Sequence, residues 1–370
     1  MAQDLNRYYR VLFPLMVELG LLRLVTCDGR WPLERVELAP RYIAAANGFD
    51  AMQRHLRFHS AADLVAHCQR ERPATLQLGG VLPAPPQEAF EPLPMTGEPE
   101  TEKEAQRRPM DAARQLMRSG ASALGPLVFD IDANDYPERN AIRGCSCEAA
   151  ERTVCQACWE TLMEPARHVI RYWLEDVFGL QQRFDTFSGR RGLHSWCYDA
   201  RVLLWTREQR TAFMERITLA SLAVSSSVTT HAAAIDDILR ATVPATKVPD
   251  IATLERAELF RRFYPRFDVA VTTDGGHLKG LPLSMHQATR ILRIPIAPLA
   301  PHGAPRTHAL DLKRHCKGPS EMFTEDVTAL VKGVLGLAFP AAATAAAAAA
   351  AATEPATKKA KTVAVDDGDE

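Results

Sequence analysis

Apolar positions recur at helical spacing over residues 8–25 and again over 162–178, which predicts two long helices. Elsewhere they come in short runs bounded by turn residues: Leu127-Val-Phe, Val202-Leu-Leu-Trp205, 267–271 and 291–296. Runs of that length read as strands. Mixing the two periods across 1–81, 127–205 and 263–335 predicts an α/β (α+β) fold. Residues 206–262 depart from this pattern. They are rich in Leu, Ala, Arg and Glu, with Asp236-Asp-Ile-Leu-Arg240 and Leu254-Glu-Arg-Ala-Glu-Leu-Phe260 at helical spacing. A small helical insertion is expected there, with loops at 225–230 and 244–249.

Two stretches carry no core pattern. Residues 82–126 open with Leu82-Pro-Ala-Pro-Pro86, continue through the acidic Glu98-Pro-Glu-Thr-Glu-Lys-Glu104, and read as a linker or surface insertion with one helix over 110–117. Residues 336–370 hold an alanine run, the basic Lys358-Lys-Ala-Lys361 and the acidic Asp366-Asp-Gly-Asp-Glu370. Polyalanine favours helix but has no shaped apolar face, so a disordered tail is expected. The main domain is then 127–335, with 1–81 as its N-terminal part.

Composition narrows the class. Of 370 residues, 46% are hydrophobic and 24% charged, enough for a packed core and against wholesale disorder. The 44 basic and 45 acidic side chains leave a net charge of -1, which excludes a globally basic nucleic-acid coat but permits a local basic groove. The sequence lacks a window of the ~18 apolar residues that a membrane-spanning helix needs. Its N-terminus is polar, so an intracellular protein with no membrane partner is expected. Eight cysteines are too few for a disulfide scaffold.

Four of those cysteines crowd together as Cys145-x-Cys147-x₇-Cys155-x₂-Cys158. Four soft thiolates on a short loop can close tetrahedrally on Zn²⁺, making a structural site; ligation shared with His168, or unliganded thiols, are the alternatives. In Leu127-Val-Phe-Asp-Ile-Asp132, strand alternation puts Asp130 and Asp132 on one face and Leu127, Phe129 and Ile131 on the other. Paired carboxylates repel unless a divalent cation bridges them, so the pattern suits Mg²⁺ or Mn²⁺ and phosphoryl transfer. A calcium loop fails, because its sixth and twelfth positions hold Asp135 and Ala141. The plain alternative is an acidic strand end entering a turn. Ser188-Gly-Arg-Arg-Gly-Leu-His194 combines glycines that let a ligand approach with a hydroxyl, two guanidiniums and an imidazole that can hold phosphate oxygens. Tyr264-Pro-Arg-Phe-Asp268 offers a third acid from a neighbouring strand, with Arg266 on its face; His277 to His286 adds His, Lys and Ser near a turn.

Taken in order, these motifs resemble the catalytic small subunit of the archaeal and eukaryotic DNA primase family. The resemblance rests on Tyr8-Tyr-Arg-x-Leu-Phe-Pro14, Asp130-Ile-Asp132, the cysteine cluster ending Cys155-x-x-Cys158-Trp159, and Ser188-Gly-Arg-Arg-Gly-x-His194. Tyr264-Pro-Arg-x-Asp268 and His277-x(4)-Pro282-x-Ser284-x-His286 complete it. It implies a two-layer primase fold with an inserted zinc-binding motif at 140–160. Asp130, Asp132 and Asp268 would be the catalytic acids holding Mg²⁺ or Mn²⁺. Ser188, Arg190, Arg191, His194, Lys279 and His286 would hold the nucleotide, with Arg54 and Glu37 as further candidates. Cys145, Cys147, Cys155 and Cys158 would hold Zn²⁺. The implied activity is DNA-templated, de novo RNA primer synthesis from ribonucleoside triphosphates on single-stranded DNA. The implied partners are a primase large subunit and, in eukaryotes, the DNA polymerase alpha complex. With the basic tail, a nuclear setting is expected. Two rivals remain: a repair primase-polymerase preferring deoxynucleotides, and a zinc-stabilised nucleic-acid-binding scaffold. The chain departs from the family pattern at Lys279, which comes one position early, leaving Gly280 in the lysine slot. Ser146 also separates the first two cysteines.

Overall fold

The computed structural model describes residues 2–43, 50–54, 56, 58–81, 124–147, 153–218, 229–274, 277–299, 310–312 and 317–340. The expected helix at 110–117 and nearly all of the 82–126 insertion lie outside these residues, as does the tail beyond Pro340.

The chain enters through α1 (Ala2–Arg7), a π-helical turn (Tyr8–Leu12), α2 (Phe13–Glu18) and α3 (Leu22–Thr26). The predicted single helix over 8–25 is thus interrupted: Gly20 takes φ +101°, which L side chains avoid, and breaks the run between α2 and α3. Strands β1 (Val36–Ile43) and β2 (Asp50–Met52) follow, then α4 (Ala61–Glu71) and β3 (Thr75–Val81). Ser60 starts α4 by accepting the Asp63 amide, an N-cap legible in the sequence.

The second group of strands is β4 (Leu127–Asp132), β5 (Arg183–Phe187) and β6 (Gly192–Cys197), with the short β7 (Lys279–Gly280) and β8 (Pro295–Ile296). They form two four-stranded sheets, ordered β2-β1-β3-β7 and β4-β6-β5-β8, and every pairing among them is antiparallel. The architecture is therefore mixed helix and antiparallel sheet, the α+β form of the expected class.

Between β4 and β5 runs helix α5 (Glu164–Arg171), extended by π-helical turns at both ends, in the region predicted as helix over 162–178. A buried ionic network fastens α5 to β5. Asp185 accepts from Arg167 Nε (2.9 Å) and Arg183 Nη1 (2.9 Å), and Arg167 Nη1 reaches Glu164 (2.8 Å). The described part of 206–262 is helical as expected, comprising α6 (Arg207–Ile217), α7 (Thr229–Thr242) and α8 (Arg256–Phe263), with 244–249 a loop. Of the loop expected at 225–230, residues 225–228 lie outside the described residues, and Thr229 and Thr230 begin α7. Thr206 and Gln209 close a capping box on α6.

Three predicted strands differ. Residues 202–205 lie mostly in a helical turn, Ala200–Leu203, because Asp199 caps it by accepting the Arg201 amide. Residues 267–271 lead into helix α9 (Val269–Thr273). Over 291–296 only β8 is strand, with Leu292 bridging Met285, since Pro295 lacks an amide proton to extend the ladder. The last helix, α10 (Thr324–Ala338), runs beyond the boundary expected at 335, and Phe339 packs edge-on against Tyr198 at 5.3 Å.

Candidate active site

Strand β4 is buried on both faces through Leu127, Val128 and Phe129, and only its last turns emerge from the core. There Asp130 and Asp132 share the half-exposed face while Ile131 stays buried, as alternation requires. The register with β6 sets Asp130 opposite His194 and Asp132 opposite Gly192. His194 Nε2 approaches Asp130 Oδ1 at 3.4 Å, and Arg191 Nε approaches Asp132 Oδ1 at 3.5 Å.

The loop joining β5 to β6 is built by its own serine. Ser188 Oγ accepts from the Gly192 amide (2.9 Å) and the Arg190 amide (3.4 Å), closing a tight turn. Gly189 must be glycine, since its φ is +82° and a Cβ there would lie 2.7 Å from the His286 Cβ. Arg190 Nε and His194 Nδ1 are buried with no hydrogen-bond partner, so the loop keeps an unspent guanidinium donor and an unpartnered ring nitrogen. Burial pushes the His194 imidazole down to about 3, helped by the Arg293 guanidinium, so the ring is neutral.

Asp268 reaches the pair differently from the strand expectation. It is the N-cap of α9, accepting the Ala270 and Val271 amides at 3.0 and 3.4 Å. Its own amide donates to the Asp130 carbonyl at 3.0 Å, which ties the third acid to β4. The alternation argument for Arg266 lapses with the strand; its guanidinium lies over the Tyr136 ring at 5.4 Å and within 3.6 Å of Glu138. Asp130 feels both neighbours: burial, then Asp132 and Asp268, push its carboxyl up to about 7. Three hard carboxylates, one driven toward its protonated form by the others, are a donor set that fits Mg²⁺ or Mn²⁺.

Asp130, Asp132 and the basic loop face one cavity of about 210 Å³, lined also by Ser188, Arg190, His194 and His286 among others. Lys279 lines it too, and burial pulls its amine down to about 7. The cavity also takes in Gln77, His277 and Arg293. Gln77 and Arg293 escaped the sequence reading, because each stands alone in its segment. Arg191 and Asp268 flank the cavity without lining it. Glu37 and Arg54 do not line it either. They form a two-pronged ion pair (2.7 and 2.8 Å) from β1, with Glu37 fully buried, and the Glu37 charge acts on Lys279.

The four cysteine sulfurs lie within 4.8 Å of one another, and His168 is not in the group. Cys158 Sγ stands 3.4 Å from Cys145 and 3.8 Å from Cys147. Tetrahedral Zn–S bonds of ~2.3 Å would set sulfurs ~3.8 Å apart, so the donor set and its spacing fit Zn²⁺. Amides of Cys147, Cys155 and Cys158 donate to sulfurs in the cluster, which stabilises thiolate character. Next to it, the Val154 amide donates to the Arg190 carbonyl (2.9 Å), so the cysteine loop supports the basic turn.

Residues 129–298 match the family described as DNA primase small subunit. Over those residues the chain is similar to the DNA primase small subunits. The Caenorhabditis elegans DNA primase small subunit is 40% identical over 93 residues, 25% of this chain and 21% of that protein. The Saccharomyces cerevisiae DNA primase small subunit is 27% identical over 217 residues, 58% of this chain and 44% of that protein. The aligned stretches thus span less than half the length of either relative. A solved polymerase domain from Mycobacterium tuberculosis Ligase D, in complex with DNA, aligns over 78% of this chain and 80% of its own at 13% identity, with a TM-score of 0.33.

The primase match starts at Phe129, inside β4, and ends just past β8. It therefore encloses the acids, the cysteine cluster, the basic turn and the His277–His286 segment. Glu37 and Arg54 fall outside it.

Proposed function

We propose that this chain is the catalytic subunit of a DNA primase, joining ribonucleotides on a single-stranded DNA template to start RNA primers de novo. One observation carries the reading: Asp130 and Asp132 at the end of β4, with Asp268 tied to them through its amide, face a neutral-imidazole and guanidinium turn across a single cavity. That pairing matches what nucleotidyl transfer needs, hard ligands for a metal on one wall and triphosphate donors on the other.

Asp130, Asp132 and Asp268 would hold Mg²⁺ or Mn²⁺, which when bound supplies Lewis-acid activation of the attacking 3′-hydroxyl and neutralises the pyrophosphate. The chain's own residues do the rest. Arg190 offers an unspent Nε donor, and His194, being neutral, donates from one ring nitrogen without adding charge. Ser188 holds the turn so that those donors are fixed before the nucleotide arrives, which is how electrostatic preorganisation lowers a barrier. Asp130 would hold such a cation in its ionised form, since a positive charge there would offset the burial and the repulsion that raise its affinity for protons. The cysteine cluster, holding Zn²⁺, would brace the turn through Val154.

A net charge of -1 gives weak template attraction, so template capture would depend on a partner. By family likeness that partner is a primase large subunit, joined in eukaryotes by the DNA polymerase alpha complex in the nucleus.

The test is unprimed synthesis on single-stranded DNA with labelled ribonucleotides, large subunit supplied, comparing parent with Asp130→Ala/Asp132→Ala. Short RNA from the parent alone is expected. Products from both would move catalysis elsewhere. A parent that initiates only with deoxynucleotides would be a repair-type primase-polymerase, and one that binds template yet makes no product would be a scaffold.

A further inference from the structure

Gly280 on β7 stands where nothing larger fits. A Cβ there would lie 2.1 Å from Arg293 Nε, 2.4 Å from its Cζ and 2.7 Å from its Nη2. The guanidinium occupies the space a side chain at 280 would need. Arg293 comes from a different segment, the returning arm whose backbone pairs with Leu283 and Ser284.

Arg293 is only 6% exposed; among the described residues it makes no direct ion pair, and the Asp130 carboxylate acts on it only through space. Its three hydrogen bonds all leave from Nη1, to Thr75 Oγ1 (2.9 Å), Ser284 Oγ (2.8 Å) and the Met285 carbonyl (2.6 Å). Those bonds anchor the side chain. Its Nε is buried without a partner. Nε and Nη2 form the forked edge by which arginine grips a carboxylate or phosphate through two parallel bonds, and here that edge is unspent. A buried guanidinium whose forked edge meets no anion directly is costly to keep. The cavity it lines is the one that holds Ser188, Arg190 and His194.

We propose that Arg293 is a further phosphate-binding residue of this cavity, and that Gly280 is glycine because the guanidinium lies there. The inference rests on the nucleotide reading above and adds the group that meets the triphosphate from the β7 side. The cation that the family pattern places at position 280 is here delivered through space from 293, and the two positions cannot both carry large side chains.

The test is binding of ATP, inorganic tripolyphosphate and adenosine to the full chain, by calorimetry, in parent, Arg293→Ser, Arg293→Lys and Gly280→Lys/Arg293→Ser. Losing a charged two-pronged contact should weaken ATP and tripolyphosphate about tenfold or more in Arg293→Ser and spare adenosine. Arg293→Lys should fall between. The double variant, which returns a cation to position 280, should recover triphosphate binding toward the parent. Unchanged ATP binding in a folded Arg293→Ser overturns the proposal while leaving the nucleotide reading intact. Should Arg293→Ser not fold, the double variant decides: folded with recovered binding supports the assignment, folded without it overturns it. A parent that binds neither ATP nor tripolyphosphate sinks the nucleotide reading itself.

Discussion

Asp130 concentrates the electrostatic tension of the site. Its carboxyl is raised to about 7 by burial and by Asp132 and Asp268, above the ordinary ~3.9 of an unfolded chain. A raised acid stabilises the fold where it is protonated, so this stabilisation is full below about pH 4 and is lost as pH rises through about 7. In chelator, Asp130→Asn should therefore melt higher than the parent at pH 8 and no higher at pH 4. A parent equally stable at pH 8 would show that the acids do not repel. Both Asp130 and the Ser188–His194 turn were readable in the sequence, because strand alternation and a glycine-bounded motif are local signals. Arg293 was not, since its meaning lies in a contact with Gly280 that crosses from one segment to another.

At the scale of elements, two fastenings position the site. The buried Asp185 network pins α5 to β5, the strand that leads into the basic turn. Burial alone would raise Asp185, but the Arg183 and Arg167 guanidiniums hold it below the ordinary carboxylate range. Asp185→Ala leaves buried arginines unpaired and should cost about 3–5 kcal/mol in urea unfolding. A loss under about 1 kcal/mol would mean the network is not a fastening. The second fastening is the turn itself. Gly189→Ala adds a Cβ at φ +82° against His286, so it should cost about 1–2 kcal/mol and weaken ATP binding. The turn could be anticipated from Ser, two Gly and two Arg. The helices at 200–203 and 269–273 could not be anticipated from their apolar, β-branched-rich runs, which favour strands. The only visible hints were Asp199 and Asp268 just ahead of each, in capping position. Asp268 was thus recognisable as a candidate acid while its element was misread.

Across the whole molecule, the cysteine loop and the candidate cavity are joined, among the described residues, through the hydrogen bond from Val154 to Arg190 and through Trp159 packed edge-on against Phe187 at 5.6 Å. One zinc per chain is expected by elemental analysis. Stripping it should lower the melting temperature and also weaken ATP binding, because the basic turn loses its support; ATP binding unaffected by zinc loss would disconnect the two. The cluster was evident in the sequence from spacing alone. Its link to the turn was not, since 35 positions separate Cys155 from Arg190 in the chain. Among the described residues no helix is long and apolar enough to cross a membrane. The most direct test of the central claim, that Asp130, Asp132 and Asp268 together hold the divalent metal that serves the nucleotide, is Mn²⁺ titration followed by electron paramagnetic resonance. The parent should bind Mn²⁺ and bind it more tightly with ATP, while Asp130→Asn, Asp132→Asn and Asp268→Asn should each lose at least tenfold. Undiminished Mn²⁺ binding in all three variants would contradict it.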